Sequence, residues 1–201
     1  TVGSYPSVSI RWLPHVIKAF RADYPGIRIQ IREGIRQELQ SWLDDGSVEM
    51  CFYTERPGMK GEWIPLADDP IMAVLPKDHP LAHAPSYPLA RCAEEDFIMP
   101  ALGRDEDVAA VLEEAGISPR IVFSTIENFA AISMIECGLG MSIMNELITK
   151  CRTLDAAIIP LDPPRAIHFG IAYPSAEKLS PTALEFISYA KRMIPELRAR
   201  R

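Results

Sequence analysis

The chain has 201 residues, of which 21 are Lys or Arg and 27 are Asp or Glu, so its formal net charge is -6. Proteins that grip phosphate backbones gather Lys and Arg into a basic patch, and a net acidic chain is repelled by DNA at long range. We interpret the acidic runs at 67–69 and 94–96 and the basic run at 198–201 as solvated segments. The composition therefore excludes a nucleic-acid-binding face, and any role with nucleic acid must be indirect.

Neither a membrane span nor a disulfide framework is indicated. No apolar run approaches the roughly 20 residues that a span needs, and the first residues do not resemble a signal peptide. The four cysteines, Cys51, Cys92, Cys137 and Cys151, have no CxxC or Cys/His spacing and lie beside apolar residues. We expect a cytoplasmic protein with four buried, reduced thiols and no metal or other cofactor, disulfides and metal binding being the alternatives.

Apolar periodicity in the first 75 residues predicts alternating strands and helices. A short strand at 1–5 precedes an amphipathic helix over 9–24, which Ser7 or Ser9 would cap and which Pro25-Gly26 would end. A half-buried strand over 27–32, a helix over 36–45 and a strand over 48–53 follow. This β-α-β-α-β order predicts a parallel sheet wrapped by helices. Residues near 63–64 and 71–75 then predict a hairpin-like pair of strands.

A second α/β unit begins after the loop at 76–82. Its predicted elements are a strand over 97–99, a helix over 106–115, a strand over 120–123, a helix over 128–137 and a strand over 141–144. Late strands at 157–161 and 168–173 precede a helix over 181–197, with Pro181 in its first turn. Two such units, with late elements that return to the first, predict two lobes and a cleft, where small ligands bind.

Four motifs recur along the chain in a definite order and spacing. They are the opening Gly3…Leu13-Pro14…Phe20-Arg21…Tyr24-Pro25, the strand and turn Ile31-Arg32-Glu33-Gly34, the loop Pro76-Lys77-Asp78-His79-Pro80-Leu81-Ala82, and Gly138-Leu139-Gly140-Met141 after a helix. Together they resemble the effector-binding domain of LysR-type transcriptional regulators. The resemblance covers essentially the whole chain.

The resemblance implies the α/β class and the two-lobed type II periplasmic-binding-protein-like fold, with two Rossmann-like subdomains joined by crossover strands. Subdomain I would comprise approximately 1–75 and 164–201, and subdomain II approximately 76–163. The implied function is to bind a small-molecule effector in the cleft and so to control transcription. DNA binding would belong to a winged helix-turn-helix domain upstream, which is absent from these 201 residues. The start on a strand and the acidic charge agree with that expectation.

The resemblance also implies a homodimer or tetramer built by antiparallel pairing. The opening helix of the first lobe would meet a helix of the partner's second lobe. Packing inside the chain's own core is the alternative, and it is favoured for the isoleucines. Candidate contacts are Trp12, His15, Val16, Ile132, Ile135 and Glu136.

The effector site is expected where parallel strands end and helices begin, because free N–H groups there attract anions. The segments 5–8, 53–54, 100–103 and 125–128 qualify, and the resemblance implies effector contacts at several of their positions. Ser7 could instead cap the following helix, and the Thr54 hydroxyl could instead bond to the backbone at the strand end. Both alternatives to effector contact stay open. The candidate site residues are Tyr5, Ser7, Val8, Thr54, Pro100, Ala101, Leu102, Ile126 and Glu127.

Departures from the family pattern favour an effector that is aromatic or carries a cationic group. Residues 49–53 read Glu-Met-Cys-Phe-Tyr where the family has Asp and small aliphatic residues, which would place Phe52 and Tyr53 near the cleft floor. Ile126 replaces a common hydroxyl residue, and Glu127 adds a carboxylate. The alternative for Glu127 is a place in the first turn of a helix, where the dipole favours it.

The remaining polar candidates are less specific. Arg104 and Arg11 would pair with an anion, or else lie on the surface. His79 is interpreted as part of a structural turn, and His15 and His168 lack metal-ligand spacing. No HExxH, GxSxG, GxGxxG or Walker pattern occurs, so no enzyme is predicted. A free solute-binding protein of the same fold is the alternative to a regulator.

Overall fold

The computed structural model describes residues 1–103 and 106–199 and divides them into two compact α/β units. Unit 1 contains Thr1–Asp68 and the chain from His168 onward, and unit 2 contains Asp69–Ile167. In chain order the elements are β1 Val2–Ser4, α1 Pro6–Arg11, α2 Leu13–Asp23, β2 Ile31–Glu33, α3 Arg36–Asp44, β3 Met50–Thr54, β4 Glu62–Pro76, β5 Tyr87–Pro88, β6 Asp96–Met99, α4 Glu106–Glu114, β7 Arg120–Ser124, α5 Asn128–Glu136, β8 Ser142–Asn145, α6 Glu146–Thr149, β9 Ala156–Asp162, β10 Ala166–Tyr173 and α7 Pro181–Ala199.

The chain passes from one unit to the other inside two strands. The first boundary falls within β4 and the second within β10. Short 3-10 helices cover 89–93, 100–103 and 176–178.

Unit 1 is a sheet with helices on both faces. Strand β1 pairs in parallel with β2 and β3, and β10 pairs antiparallel with β3. Helix α3 packs Leu39 and Leu43 against one face, together with Tyr53. On the other face the Phe52 and Phe186 rings lie 6.3 Å apart, so α7 covers that side. Strand β3 is thus buried on both faces, as parallel strands between helices usually are.

The two aromatic residues expected near the cleft floor, Phe52 and Tyr53, are among the buried residues of this strand. They are 1% and 0% exposed, because successive side chains of a strand point to opposite faces and both faces here are covered by helices. Both rings belong to the core of unit 1.

Unit 2 contains antiparallel and parallel pairs. Strand β4 pairs antiparallel with β8 and with β9, and β5 pairs in parallel with β9. Strands β6 and β7 form a parallel pair of their own. The apolar core includes Val74, Ile98, Ala131, Ile132, Ile135, Met144 and Ile148.

The helix expected over 9–24 is two helices, α1 and α2, which meet at Trp12. Pro14 explains the break, because proline has no N–H to donate and its ring clashes with the preceding turn. The helix also begins earlier than expected. Tyr5 is the N-cap residue and Pro6 takes the first helical position, so neither Ser7 nor Ser9 is the cap.

The strand expected over 27–32 is shorter and more exposed than its pattern indicates. Strand β2 covers only Ile31–Glu33, and all three residues are exposed. It lies at the edge of its sheet and pairs only with β1 among the described strands. An edge strand has a neighbour on one side only, so alternating isoleucines do not guarantee burial.

The hairpin expected around 63–75 is a single 15-residue strand, β4. Pro65, the Asp68-Asp69 pair and Pro70 resemble turn residues, yet the strand runs through them. The acidic run is also not uniformly solvated, because Asp69 is only 1% exposed. Its carboxylate accepts hydrogen bonds from Asn145 Nδ2 at 2.8 Å and from the Leu147 amide at 3.0 Å.

All four cysteines are free thiols, but only two are buried. Cys51 and Cys92 are buried, Cys151 is half-buried and Cys137 is exposed. The expectation of four buried thiols is therefore wrong for Cys137. Cys137 follows the final residue of α5, where the helix end faces solvent. Burial raises the pKa of Cys51 to about 12, so its thiol stays protonated and unreactive at neutral pH. In the described part of the chain, no helix is both long enough and apolar enough to cross a membrane.

Candidate functional site

Two neighbouring parallel strands of unit 1 end beside each other in polar residues. Tyr5 follows β1, and its amide donates a hydrogen bond to the carbonyl of Phe52 at 3.0 Å. Thr54 ends β3, and its Oγ1 lies 3.5 Å from the hydroxyl of Tyr5. The structure therefore brings these two predicted site residues together at the carboxyl edge of the unit 1 sheet.

A third residue at this edge, Arg36, is not among the predicted ones. It is the first residue of α3 and is only 6% exposed. Its Nη2 donates to Thr54 Oγ1 at 2.6 Å and also to the Thr54 carbonyl. Its guanidinium carbon lies 4.9 Å from the centre of the Tyr53 ring, within range of a cation–π interaction.

The sequence does contain a signal for Arg36. Residues 36, 39 and 43 share one face of a helix, and the other two members are the core residues Leu39 and Leu43. A charged residue on the inward face of an amphipathic helix must be paired or hydrogen-bonded. For Thr54, this arginine is a partner of the hydroxyl.

Ser7 and Val8 lie on α1 and are 4% and 1% exposed. Ser7 is the second residue of the helix, and α1 has no side-chain cap, so the helix-cap alternative is wrong. Val8 is a core residue of unit 1. Neither side chain presents much surface to a ligand.

Unit 2 has a corresponding edge where β6 and β7 end. Met99 and Ser124 are partners in this parallel pair, and the Thr125 amide donates to the Met99 carbonyl at 3.2 Å. The segments that follow, which begin at Pro100 and at Ile126, are therefore neighbours, as the sequence predicts.

The candidates on this edge differ in exposure. Pro100 is buried and Ala101 is half-buried, whereas Ile126 is 65% exposed. Glu127 is exposed and is the N-cap residue of α5, although its side chain makes no capping hydrogen bond. The Leu102 side chain and Arg104 lie outside the described residues. Ala101 has a left-handed backbone with a φ of 51°, a conformation that costs roughly 1–2 kcal/mol in a residue with a Cβ. Such strain often accompanies binding sites.

The other polar candidates lie apart from these edges. Arg11 is exposed in the last turn of α1, and His15 is exposed on α2. His168 pairs with Asp68 at 2.6 Å. Among residues 1–103 and 106–199, no group of three or more His, Cys, Asp or Glu side chains is arranged to hold a metal ion.

His79 holds a turn together. The Leu81 amide donates to its Nδ1 at 3.1 Å, and its Nε2 lies 3.3 Å from Glu95 Oε1. Because Nδ1 accepts a backbone hydrogen bond, the neutral ring carries its proton on Nε2, facing the carboxylate. This arrangement fits the structural role expected for His79.

The expected dimer contacts are mostly inside the core. Trp12 and Val16 are 3% and 0% exposed, and Ile132 and Ile135 are both 0% exposed, so as partner contacts these four are wrong. The carboxylate of Glu136 forms a salt bridge with Arg152 at 3.0 Å. Among the residues whose side chains the structure describes, the exposed large apolar ones are Ile10, Ile31, Ile121, Val122, Phe123, Ile126, Leu139 and Leu184.

The chain matches the family described as the LysR substrate binding domain over residues 1–194. It is 27% identical over 194 residues to an uncharacterized HTH-type transcriptional regulator, YvbU, of Bacillus subtilis (strain 168), a match that covers 96% of this chain and 66% of that protein. The chain thus spans about two thirds of the length of this curated relative.

Solved structures show the same fold. The C-terminal domain of a probable LysR family transcriptional regulator from Rhodococcus sp. RHA1 matches with a TM-score of 0.81 and 25% identity over 94% of this chain and 96% of that one. The CcmR regulatory domain of Synechocystis PCC6803, solved in complex with 2-PG, matches with a TM-score of 0.87 and 19% identity over 96% and 95% of the two chains. The expected fold class is confirmed, and the regulator family is favoured over a free solute-binding protein. This chain belongs to the family of LysR substrate-binding domains.

Proposed function

We propose that this chain is the effector-sensing part of a LysR-type transcriptional regulator and that it performs no catalysis of its own. The observation that carries the proposal is the group of polar side chains at the carboxyl edge of β1 and β3, within a chain that matches the family over residues 1–194. A ligand changes such a regulator only if it binds two conformations with different affinity.

The site residues of the proposal are the predicted ones together with Arg36. In unit 1 the effector contacts Tyr5 and Thr54, and Ser7 and Val8 support that edge from α1. In unit 2 the contacts come from the segments after β6 and β7. These contacts are Pro100, Ala101, Leu102, Ile126 and Glu127.

The whole protein, in this proposal, binds DNA through a helix-turn-helix segment outside these 201 residues and acts in the cytoplasm. The longer HTH-type relatives support this division of labour. The net charge of -6 supports it as well, because a sensor that does not touch DNA needs no basic surface.

A thermal-shift screen of small metabolites tests the sensing function. A compound that binds only the folded chain raises the unfolding midpoint by mass action. Tyr5→Phe removes the hydroxyl next to Thr54 and should weaken binding of a stabilising compound by roughly 2- to 10-fold, the usual net effect of one hydrogen bond. Calorimetric titration measures that change.

Tyr189→Phe is the matched control. This substitution likewise removes one tyrosine hydroxyl, which in Tyr189 donates to the carboxylate of Asp23. Tyr189 is on α7, away from the strand ends. Equal loss of affinity in both variants, or a screen in which nothing stabilises the wild-type chain, would count against the proposal.

We further propose that the protein forms a dimer through two surfaces not expected from the sequence. The first, called the unit 1 groove, lies between α2 and the segment leading into β2. The second, called the β7 surface, comprises Ile121, Val122 and Phe123, which are 51%, 38% and 41% exposed. Adjacent exposed apolar residues on an edge strand usually mark an interaction surface. The unit 1 groove is lined by Ile17, Arg21, Pro25, Gly26, Ile27, Arg28, Ile29 and Ile31.

Phe123→Lys should weaken self-association at least about tenfold, because an ammonium group would be buried against a partner groove whose lining already includes Arg21 and Arg28. Leu184→Lys is the control, since Leu184 is 45% exposed on α7, outside both surfaces. Sedimentation equilibrium measures the association constant of each variant. A monomeric wild-type chain, or an unchanged constant for Phe123→Lys, would contradict the proposed interface.

A further inference from the structure

We propose that the unit 1 groove binds a free, single-chain amphiphilic acid, such as a medium-chain carboxylate or an alkyl phosphate. The bound acid competes with the β7 surface of a second copy for the same groove. This ligand site is separate from the strand ends of the proposed effector site, and only the competition rests on the proposed dimer.

The unit 1 groove has the size and the apolar lining of a small-molecule site. Its volume is about 360 Å³, within the roughly 300–1,000 Å³ of such sites. Ile17 on α2 is half-buried, as are Ile27 and Ile29 in the segment before β2. Ile31, at the start of β2, is 39% exposed. These isoleucines leave apolar surface in contact with water, and an alkyl chain that covers it binds favourably.

Two arginines give the groove a positive charge that its other lining residues do not neutralise. Arg21 lies four residues after Ile17 on α2, so the two share one face of the helix. Arg28 belongs to the segment before β2, and among the described residues that line the groove none is acidic. In the part of the chain that the structure describes, neither guanidinium forms an ion pair or a hydrogen bond. An acid can therefore pair with them without displacing an existing partner.

The β7 surface does not supply the missing negative charge. Ile121, Val122 and Phe123 are apolar, and Arg120 before them already pairs with Asp96. A dimer contact would cover the isoleucines of the groove but leave its arginines unpaired, and taking unpaired charges out of water is unfavourable. An amphiphilic acid suits both parts of the groove, because its chain contacts the isoleucines and its head group accepts hydrogen bonds from the guanidiniums.

Calorimetric titration of the wild-type chain with single-chain compounds tests the site. The probes are hexanoate, octanoate and octyl phosphate, with octanol as the neutral counterpart, each below the concentration at which it forms micelles. Octanoate should bind roughly 4- to 15-fold more tightly than hexanoate, since each of its two additional methylenes contributes up to about fourfold. Octanol should bind roughly fivefold or more weakly than octanoate, because it lacks the charge.

Arg21→Gln and Arg28→Gln should each weaken octanoate binding by roughly two- to fivefold, the usual range for an exposed ion pair. Both arginines are exposed, so the two variants should fold as the wild type does. Lys18→Gln is the matched control, because it removes the same charge from an exposed position on α2 outside the groove lining. Its affinity for octanoate should equal that of the wild type within error.

Two further variants locate the bound acid. Tyr5→Phe changes the strand-end site and Phe123→Lys changes the β7 surface, so neither should weaken octanoate binding to the groove. Weaker binding to Tyr5→Phe would place the acid at the strand ends, and weaker binding to Phe123→Lys would place it on the β7 surface. Either result overturns the assignment of the groove.

Sedimentation equilibrium of the wild-type chain tests the competition. At an octanoate concentration ten times its dissociation constant, self-association should weaken at least about tenfold, because the acid occupies the groove that the second copy needs. Unchanged self-association of a dimeric chain with a saturated groove would refute the competition.

Failure of this site and failure of the earlier proposals give different results. If octanol binds as tightly as octanoate, if none of the acids binds, or if Lys18→Gln costs as much as Arg21→Gln, the groove is not an acid site. The sensing function, which the metabolite screen tests through Tyr5→Phe, is then unaffected. If the acids bind through the arginines but the wild-type chain is monomeric, the ligand site stands and the proposed dimer fails.

Discussion

Gly140→Ala should destabilise unit 2 by about 3–5 kcal/mol, combining backbone strain with a close contact. Gly140 has a φ of 151°, a conformation open almost only to glycine. A Cβ built there would lie 2.5 Å from the carbonyl oxygen of Asp96, a backbone atom that cannot move aside cheaply. That same oxygen accepts the Met141 amide at 2.8 Å, so the contact would disturb the link between β6 and the start of β8.

Gly138→Ala, two residues earlier, is the control. Gly138 lies two residues after the last residue of α5 and has a φ of 76°. Its amide donates to the Ile135 carbonyl, and the Leu139 amide donates to the Met134 carbonyl, as in a Schellman motif. Nothing lies within 4 Å of an added Cβ. The expected cost is only the left-handed penalty of roughly 1–2 kcal/mol.

Urea unfolding followed by circular dichroism measures both variants. The three tryptophans, Trp12, Trp42 and Trp63, all lie in unit 1, so their fluorescence reports on unit 1 alone. Loss of stability in the dichroism transition with little change in fluorescence would place the damage in unit 2. Equal costs for the two alanines would show that the close contact with Asp96 has no effect.

The sequence predicts most helices and strands well because apolar spacing is a local property. Helices α3, α4, α5 and α7 and strands β6 and β7 fall within about two residues of their predicted limits, since each shows a clear periodicity. The break between α1 and α2 was also within reach, because Pro14 is visible in the sequence. Apolar spacing over 9–24 predicts one continuous helix, but Pro14 interrupts it.

The sequence indicates which strand ends carry the candidate site, but not all of the residues that form it. Strand ends and helix starts follow from the element order, so Tyr5 and Thr54 could be named. The inward direction of Arg36, and its bonds to Thr54, depend on how α3 packs on β3. Likewise, the burial of Phe52 depends on α7, which follows about 130 residues later in the chain. Such contacts between distant segments have no counterpart in local periodicity.

Asp69→Ala should destabilise the chain by roughly 3 kcal/mol, whereas Asp68→Ala should cost about 1 kcal/mol or less. The adjacent acids point to opposite faces of β4. Asp69 is 1% exposed, and its loss would leave the Leu147 amide, in the first turn of α6, and the Asn145 side chain without this acceptor. The Asp68 side chain is 74% exposed and pairs with a similarly exposed His168, so water replaces its interaction readily.

Asp69→Asn separates charge from hydrogen bonding. Both hydrogen bonds are accepted by the same atom, Asp69 Oδ2, so the amide oxygen of an asparagine can take over both while the negative charge is lost. We therefore expect a cost between those of the two alanine variants. The readout is the free energy of unfolding in urea by circular dichroism. A cost for Asp69→Ala no larger than that for Asp68→Ala would mean that β4 continues through this acidic pair for reasons other than the buried carboxylate. The order we expect instead makes Asp69 the residue that converts an apparent turn into one long strand.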